Sequence, residues 1–152
     1  MNHATIRFAK DADYPNFLPV YEKFLIDVDT SHPELETMGE TLFIEYINQP
    51  KNFIILALDD DQVIGISEIG IKYRRFRDKT ERIEVNSMYV LPEYQGKGIR
   101  SMIIDFIESF ANQEAIERIY LNSGNNTPDA HRFYKKNGYE QYGVAFKKKL
   151  SI

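Results

Sequence analysis

Residues 90–104 read VLPEYQGKGIRSMII: an apolar stretch, two glycines around a lysine, then an amphipathic run. Gly96 and Gly98 let the backbone turn tightly and let an anion approach with no Cβ in the way. A helix opening near Gly98 presents first-turn amides that lack intrahelical partners, at the positive end of its macrodipole. Lys97 and Arg100 add full charges, and Ser101 adds a hydroxyl donor. Together Gly96, Lys97, Gly98, Ile99, Arg100 and Ser101 describe a cradle for a phosphate or pyrophosphate. A plain strand–helix turn would use glycine too; the basic and hydroxyl neighbours point to the anion. The P-loop pattern G-x-x-x-x-G-K-[ST] is absent. A dinucleotide fingerprint would open the first crossover of a parallel sheet. Here the glycines follow three expected antiparallel strands, and Ser101 stands third.

Glu84 is the next candidate. It lies on an apolar strand, where a buried carboxylate is costly unless it has work or a partner. A strand-edge or solvent-facing charge is the alternative. Asn86 and Ser87 stand close enough in sequence to hold a water instead. His131 lies three residues before Tyr134 and shares a helix face with it, although a lone helical histidine is usually structural. His32 and the acidic residues Asp27, Asp29, Glu34 and Glu36 surround one loop, which reads as solvated or as a draw for a cationic amine. Lys72, Arg74, Arg75, Arg77 and Lys79 read as a charged hairpin guarding strand edges. With no cysteine, three scattered histidines and no HisGlu-x-x-His, no metal site is expected.

The elements that must position these residues follow from periodicity. Residues 5–8 alternate as a strand; Phe17, Val20, Tyr21, Phe24, Leu25 and Val28 form a helical stripe in which Pro19 predicts a late start or a kink. A second helix is expected over 37–48. Strands are expected over 52–58, 63–71 and 82–90, with a hairpin turn at 59–62. Ile99, Met102, Ile103, Phe106, Ile107 and Phe110 mark a helix after Gly98. A strand over 116–121, a helix over 129–137 stopped by Gly138, and a last strand from Tyr142 to Leu150 complete the chain. The order β-α-α-β-β-β-α-β-α-β is α/β, mostly antiparallel, with one strand–helix–strand crossover at the glycines.

Tyr89-Val-Leu-Pro-Glu-Tyr-Gln-Gly-Lys-Gly-Ile99 resembles the acyl-CoA signature of the GNAT superfamily of N-acetyltransferases, [Gln/Arg]-x-x-Gly-x-[Gly/Ala], with Gln95, Gly98 and Arg100 in its fixed places. Residues 84–90 resemble that family's fourth strand. Residues 121–139 resemble its second half, with Ala-x-x-Phe-Tyr-x-x-x-Gly-aromatic. Two departures stand out: Arg100 replaces a small residue, and Thr127 stands where many relatives have Asn.

The resemblance implies a mixed, mostly antiparallel sheet flanked by helices and a pyrophosphate held by the amides of Gly96 to Ser101. It implies a pantetheine arm paired along Met88, Tyr89 and Val90, in a wedge opened by a splay between the fourth and fifth strands. Asn126, among Asn125, Asn126 and Thr127, would reach that arm. The implied reaction is acetyl transfer from acetyl-CoA to a primary amine of a small molecule or peptide, by direct attack in a ternary complex. Glu84 would be its base and Tyr134 the proton donor to the leaving thiolate. A non-catalytic acyl-CoA-binding module and an RNA-directed acetylating toxin are the rival readings. Relatives often dimerise.

The bulk numbers set the outer bounds. With 152 residues, no repeat and no linker, the chain reads as one domain over 1–152. A net charge of −4 argues against a general nucleic-acid binder. No apolar run reaches bilayer length, and MNHATIRFAKDAD lacks the apolar core of a signal peptide. A cytoplasmic protein away from membranes is expected.

Overall fold

The computed structural model describes residues 3–28, 38–74, 78–122, 128–144, 146 and 148–151. The chain divides into two compact units, Met1–Asn122 and Ser123–Ile152.

The first unit is a five-stranded sheet in the order β1-β2-β3-β4-β5. Its strands are β1 (Ala4–Phe8), β2 (Asn52–Asp59), β3 (Gln62–Arg74), β4 (Asp78–Val90) and β5 (Ile119–Leu121). The first four pair antiparallel. β5 joins parallel to β4 after the crossover helix α3 (Ile99–Gln113). Helices α1 (Tyr14–Val28) and α2 (Glu40–Ile47) come between β1 and β2.

Two apolar layers sandwich the sheet. On one face Ile99, Ile103, Ile107 and Phe110 of α3 pack on Ile55, Ile69, Ile83 and Val85. On the other, Phe17, Val20 and Phe43 of α1 and α2 pack on Ile54, Leu56 and Ile66. The spacing of three and four along α3 is therefore the spacing of its buried residues. That helix ends where Ala115 turns left-handed (φ 55°). Ile116 N–H then bonds back to Ala111 O at 2.8 Å and Ala115 N–H to Asn112 O at 3.2 Å. Those two bonds form a complete Schellman stop, with Ala where Gly is usual.

Several expectations shift. Helix α1 starts at Tyr14 and runs through Pro19. The N–H that Pro19 lacks would have met Pro15, and both prolines are exposed, so the lost bond falls on the solvent side of the helix. Helix α2 begins at Glu40, behind Gly39 as N-cap. β3 and β4 extend into the basic hairpin as far as Arg74 and from Asp78; Arg75 to Arg77 lie outside the described residues. β5 keeps only Ile119–Leu121 of the expected 116–121.

The second unit holds α4 (Pro128–Lys136), closed by Gly138 at φ 89°. The expected last strand is corrected. Residues 142–144, 146 and 148–150 belong to no strand, and Val144 and Phe146 are 73% and 93% exposed. Alternation supplies a face, but a strand also needs a hydrogen-bonding neighbour, which periodicity cannot provide.

Candidate active site

The site begins where β5 leaves β4. The two strands pair only from Ile83↔Ile119 to Val85↔Leu121. Asn122 N–H to Val85 O, at 3.4 Å, is the last bond between them among the described residues. β4 itself continues to Val90, paired on its other side with β3. Leu91 N–H donates to Ile64 O, toward β3. By strand alternation the backbone groups of Val90 and Met88 face the opposite edge. Among the described residues no strand meets them there. Tyr89 is turned otherwise. Its backbone faces β3, and its hydroxyl donates to Asp27 at the end of α1. Burial and the Asp27 carboxylate together hold that phenol well above its usual range.

The glycine loop adjoins this edge. A 3-10 turn, Pro92–Tyr94, follows Leu91, and Gln95 reaches back to donate its side-chain amide to Val90 O at 3.0 Å. Gly96 and Gly98 are both left-handed, at φ 76° and 82°. Beyond the adjoining residues, no atom of the described residues lies within 4 Å of where a Cβ would stand at either, so conformation demands glycine here and the space beyond is open. Gly98 is the N-cap of α3. The first bond of that helix is Met102 N–H to Gly98 O, so the amides ahead of it point out of the helix end. Ile99 is buried in the core and contributes only backbone. Lys97 is exposed, with Nζ 5.6 Å from the Tyr94 ring centroid; Arg100 and Ser101 are half-buried. Tyr94 is anchored in turn, its hydroxyl donating to Asp59 at 3.2 Å. The arrangement fits an extended anionic ligand with its phosphate end at the glycines and a linear arm along β4.

Glu84 lies on the face of the sheet that carries α1 and α2, beside Gly70 of β3 and Tyr120 of β5. Its Oε1 accepts from Arg82 Nε at 3.0 Å and from the same guanidinium's terminal nitrogen; its Oε2 is 3.6 Å from Lys72 Nζ. Arg82 in turn stacks over Tyr120, 4.6 Å from Cζ to the ring centroid. Glu84 is thus the centre of an ion cluster. Asn86 is exposed and Ser87 half-buried, its carbonyl accepting from the Ser67 hydroxyl at 2.7 Å.

Sequence reasoning missed a second carboxylate on that face. Glu68 of β3 sits at a register shift, opposite Ser87. Burial holds its carboxyl above the usual carboxylate range, opposed by a hydrogen bond from Tyr46 and the charge of Lys72. The Tyr46 hydroxyl also lies 3.3 Å from Ile69 O, so its one proton serves either acceptor. The signal was present: one acid inside the apolar strand ValIleGlyIleSerGluIleGlyIle.

In the second unit, Tyr134 lies half-buried on α4. Its ring packs edge-on to Phe133 at 5.6 Å and Tyr139 at 6.1 Å. Its carbonyl accepts from Tyr139 N–H at 3.0 Å. His131 is half-buried on the same helix. Asn125, Asn126 and Thr127, and the loop with Asp29, His32, Glu34 and Glu36, lie outside the described residues. Among the described residues no group of His, Asp or Glu could hold a metal ion, and no helix is long and apolar enough to cross a membrane.

A mixed five-stranded sheet with a left-handed glycine loop at the N-terminus of its crossover helix is the fold of an N-acetyltransferase class of protein. The acetyltransferase (GNAT) family model matches residues 18–139, across both units, and the chain belongs to that family. It is 26% identical over 107 residues to an uncharacterised N-acetyltransferase of Mycobacterium tuberculosis, covering 70% of this chain and 65% of that one. It is 30% identical over 95 residues to the aminoalkylphosphonate N-acetyltransferase of Salmonella typhimurium, covering 62% and 61%. The matches to these two thus span just under two thirds of those relatives. Identity to the aminoglycoside N(6')-acetyltransferase type 1 of Acinetobacter haemolyticus is 26% over 150 residues, covering 95% and 98%.

Among solved structures, the aminoglycoside acetyltransferase meta-AAC0020, from an uncultured soil sample and in complex with sisomicin, superposes with a TM-score of 0.83. Its identity is 16%, with 99% and 98% of the two chains covered. The aminoglycoside acetyltransferase AAC(6')-Iy in complex with CoA gives a TM-score of 0.78 at 13% identity, covering 99% and 96%. At these identities the likeness speaks for the fold.

Proposed function

We propose that this chain transfers the acetyl group of acetyl-CoA to a primary amine of a small molecule or peptide, by direct attack in a ternary complex. The observation that carries the reading is the edge of β4 at Met88 and Val90, which no strand meets among the described residues, running into left-handed Gly96 and Gly98 at the mouth of α3. A free strand edge binds an extended arm by backbone hydrogen bonds, and a helix mouth binds phosphate.

Acetyl-CoA supplies an activated thioester carbonyl and a thiolate leaving group. The protein supplies the rest. Gly96 to Ser101 hold the pyrophosphate through their amides, with Lys97 and Arg100 adding charge. Met88 and Val90 hold the arm, and Gln95 keeps the loop against that edge. An N–H near Met88 polarises the carbonyl oxygen as charge grows there. Asn126 is the proposed side-chain partner of the arm. The amine, with an ordinary pKa near 10.4, must lose a proton before it can attack. A carboxylate on the α1/α2 face takes it, and the sequence expectation for that part is Glu84. Since Arg82 and Lys72 engage both its oxygens, a base there must first release one of them. Tyr134 is proposed to return a proton to the departing sulfur. The new N–C bond replaces the C–S bond, and the amine's proton leaves through the carboxylate. A cytoplasmic site of action is part of the proposal, supported by the cysteine-free sequence.

The test is calorimetric titration of the full chain with acetyl-CoA, for wild type and Gly98→Trp, followed by thiol release with a panel of amines. Saturable binding lost in Gly98→Trp, with thiol release on adding an amine, is expected. Absence of binding at millimolar acetyl-CoA overturns the reading. Binding with no turnover on any amine would make the chain an acyl-CoA sensor instead.

A further inference from the structure

The reaction above leaves one built feature unused. A recess between α1 and the middle of β3 is lined by Phe17, Tyr21, Met38, Ile66, Glu68 and Ser87. We propose that Glu68, set among the rings of Phe17, Tyr21 and Tyr46, binds the ammonium of the acceptor and selects a cationic primary amine over one bearing its own anion. The inference rests on the acetyl-transfer reading and adds the acceptor's charge class and its anchoring residue.

Four observations converge. First, the register shift at Glu68–Ile69 sets this side chain opposite Ser87, which also lines the recess. Met88, the next residue, faces the open edge of β4. The recess and the edge are therefore one residue apart.

Second, the neighbouring acids are already matched. Glu84 holds Arg82 and Lys72, and Asp27 holds the Tyr89 hydroxyl. Glu68 makes no ion pair among the described residues and has only the Tyr46 hydroxyl as donor. The titratable groups facing it are Tyr21 from α1, Tyr46 from α2 and Lys72 from β3, with Glu84 and Arg82 beyond Lys72 on β4. Lys72 and Arg82 balance the two glutamates in formal charge, but both sit against Glu84, so among the described residues no cation is in contact with Glu68 itself.

Third, the surroundings suit an ammonium. Aromatic faces attract cations, and a half-desolvated carboxylate binds one more strongly than an exposed carboxylate does. Fourth, the recess measures about 10 Å³, at most the space of one water-sized group. An amino head enters; a bulky body stays outside.

The experiment uses the full chain with two probes: sisomicin, a polycation, and 2-aminoethylphosphonate, whose amine has an anionic neighbour. Each is titrated by calorimetry into wild type, Glu68→Gln and Glu68→Asp, and acetyl-CoA is titrated separately. Wild type is expected to prefer sisomicin. Glu68→Gln should bind sisomicin about ten- to a hundredfold more weakly with acetyl-CoA affinity unchanged. Glu68→Asp, which keeps the charge, should retain the preference. Equal sisomicin affinity in Glu68→Gln overturns the proposal. So does a wild type that prefers the phosphonate or takes up neither amine. Failure of wild type to bind acetyl-CoA overturns the acetyl-transfer reading instead, so the two failures are separate.

Discussion

The side-chain amide of Gln95 donates to the backbone carbonyl of Val90 at 3.0 Å, tying the glycine loop to the open edge of β4. One hydrogen bond thus couples the proposed phosphate cradle to the proposed site for the arm. Gln95→Ala should raise the KM for acetyl-CoA by about two- to tenfold, the worth of one neutral hydrogen bond, with little change in melting temperature. Steady-state kinetics with thiol detection measures it. An unchanged KM would mean the loop holds its place without the tether.

Glu84 sits between Arg82 and Lys72, so its removal strands two cations. Glu84→Gln should cost about 1–3 kcal/mol, since the Arg82 and Glu84 side chains are only 12% and 18% exposed. Chemical denaturation reads that loss. If kcat falls by about a hundredfold or more while stability holds, Glu84 is the base and not a scaffold.

Tyr134 stacks edge-on to Phe133 and Tyr139, contacts that need the ring and not the hydroxyl. Tyr134→Phe keeps those ring contacts and should lower kcat by roughly a hundredfold. The KM for acetyl-CoA should hardly move. A parallel loss of stability and rate would place the hydroxyl in the fold instead.

Ala115 stands in the left-handed stop of α3 at φ 55°, where a Cβ is strained. Ala115→Gly should stabilise the chain by about 1 kcal/mol, seen as a higher denaturation midpoint. No effect on turnover is expected, because the stop lies at the far end of α3 from Gly98.

Two carboxylates should give opposite pH dependence. Burial raises the folded pKa of Glu68, so the native state holds that proton more tightly than the unfolded chain. Stability from this group falls as pH rises through the folded pKa. Glu68→Gln should then melt higher than wild type at neutral pH, with the gap closing as pH drops below about 4. Asp13 works the other way. Its hydrogen bonds from Arg7, at 2.7 and 2.8 Å, hold its carboxyl below the usual range. That contribution is present above the ordinary carboxylate pKa and is lost as pH falls through the lower, folded value. Asp13→Asn should melt lower at neutral pH and converge with wild type in acid. Thermal melts across pH 3–8 read both.

The sequence by itself determined the helices, the first four strands and the glycine loop. Ile99, Ile103, Ile107 and Phe110 repeat at helical spacing because one face of α3 must be buried. Gly96 and Gly98 are legible because only glycine adopts φ near 80° without strain. Pairing was not legible. That β5 pairs with β4 only as far as Val85 among the described residues, and that residues 142–144, 146 and 148–150 lie in no strand, depends on which backbone neighbour is present. The partners of charged groups were equally hidden. Glu84 reads as a lone acid on a strand, yet Lys72 lies across the sheet beside it and Arg82 two residues before it on the same face. Glu68, unremarked in sequence, is the acid left without a cation of its own among the described residues. Periodicity is a local property of a chain, whereas charge compensation and strand pairing are sums over residues distant in sequence. Only the tertiary structure decides them.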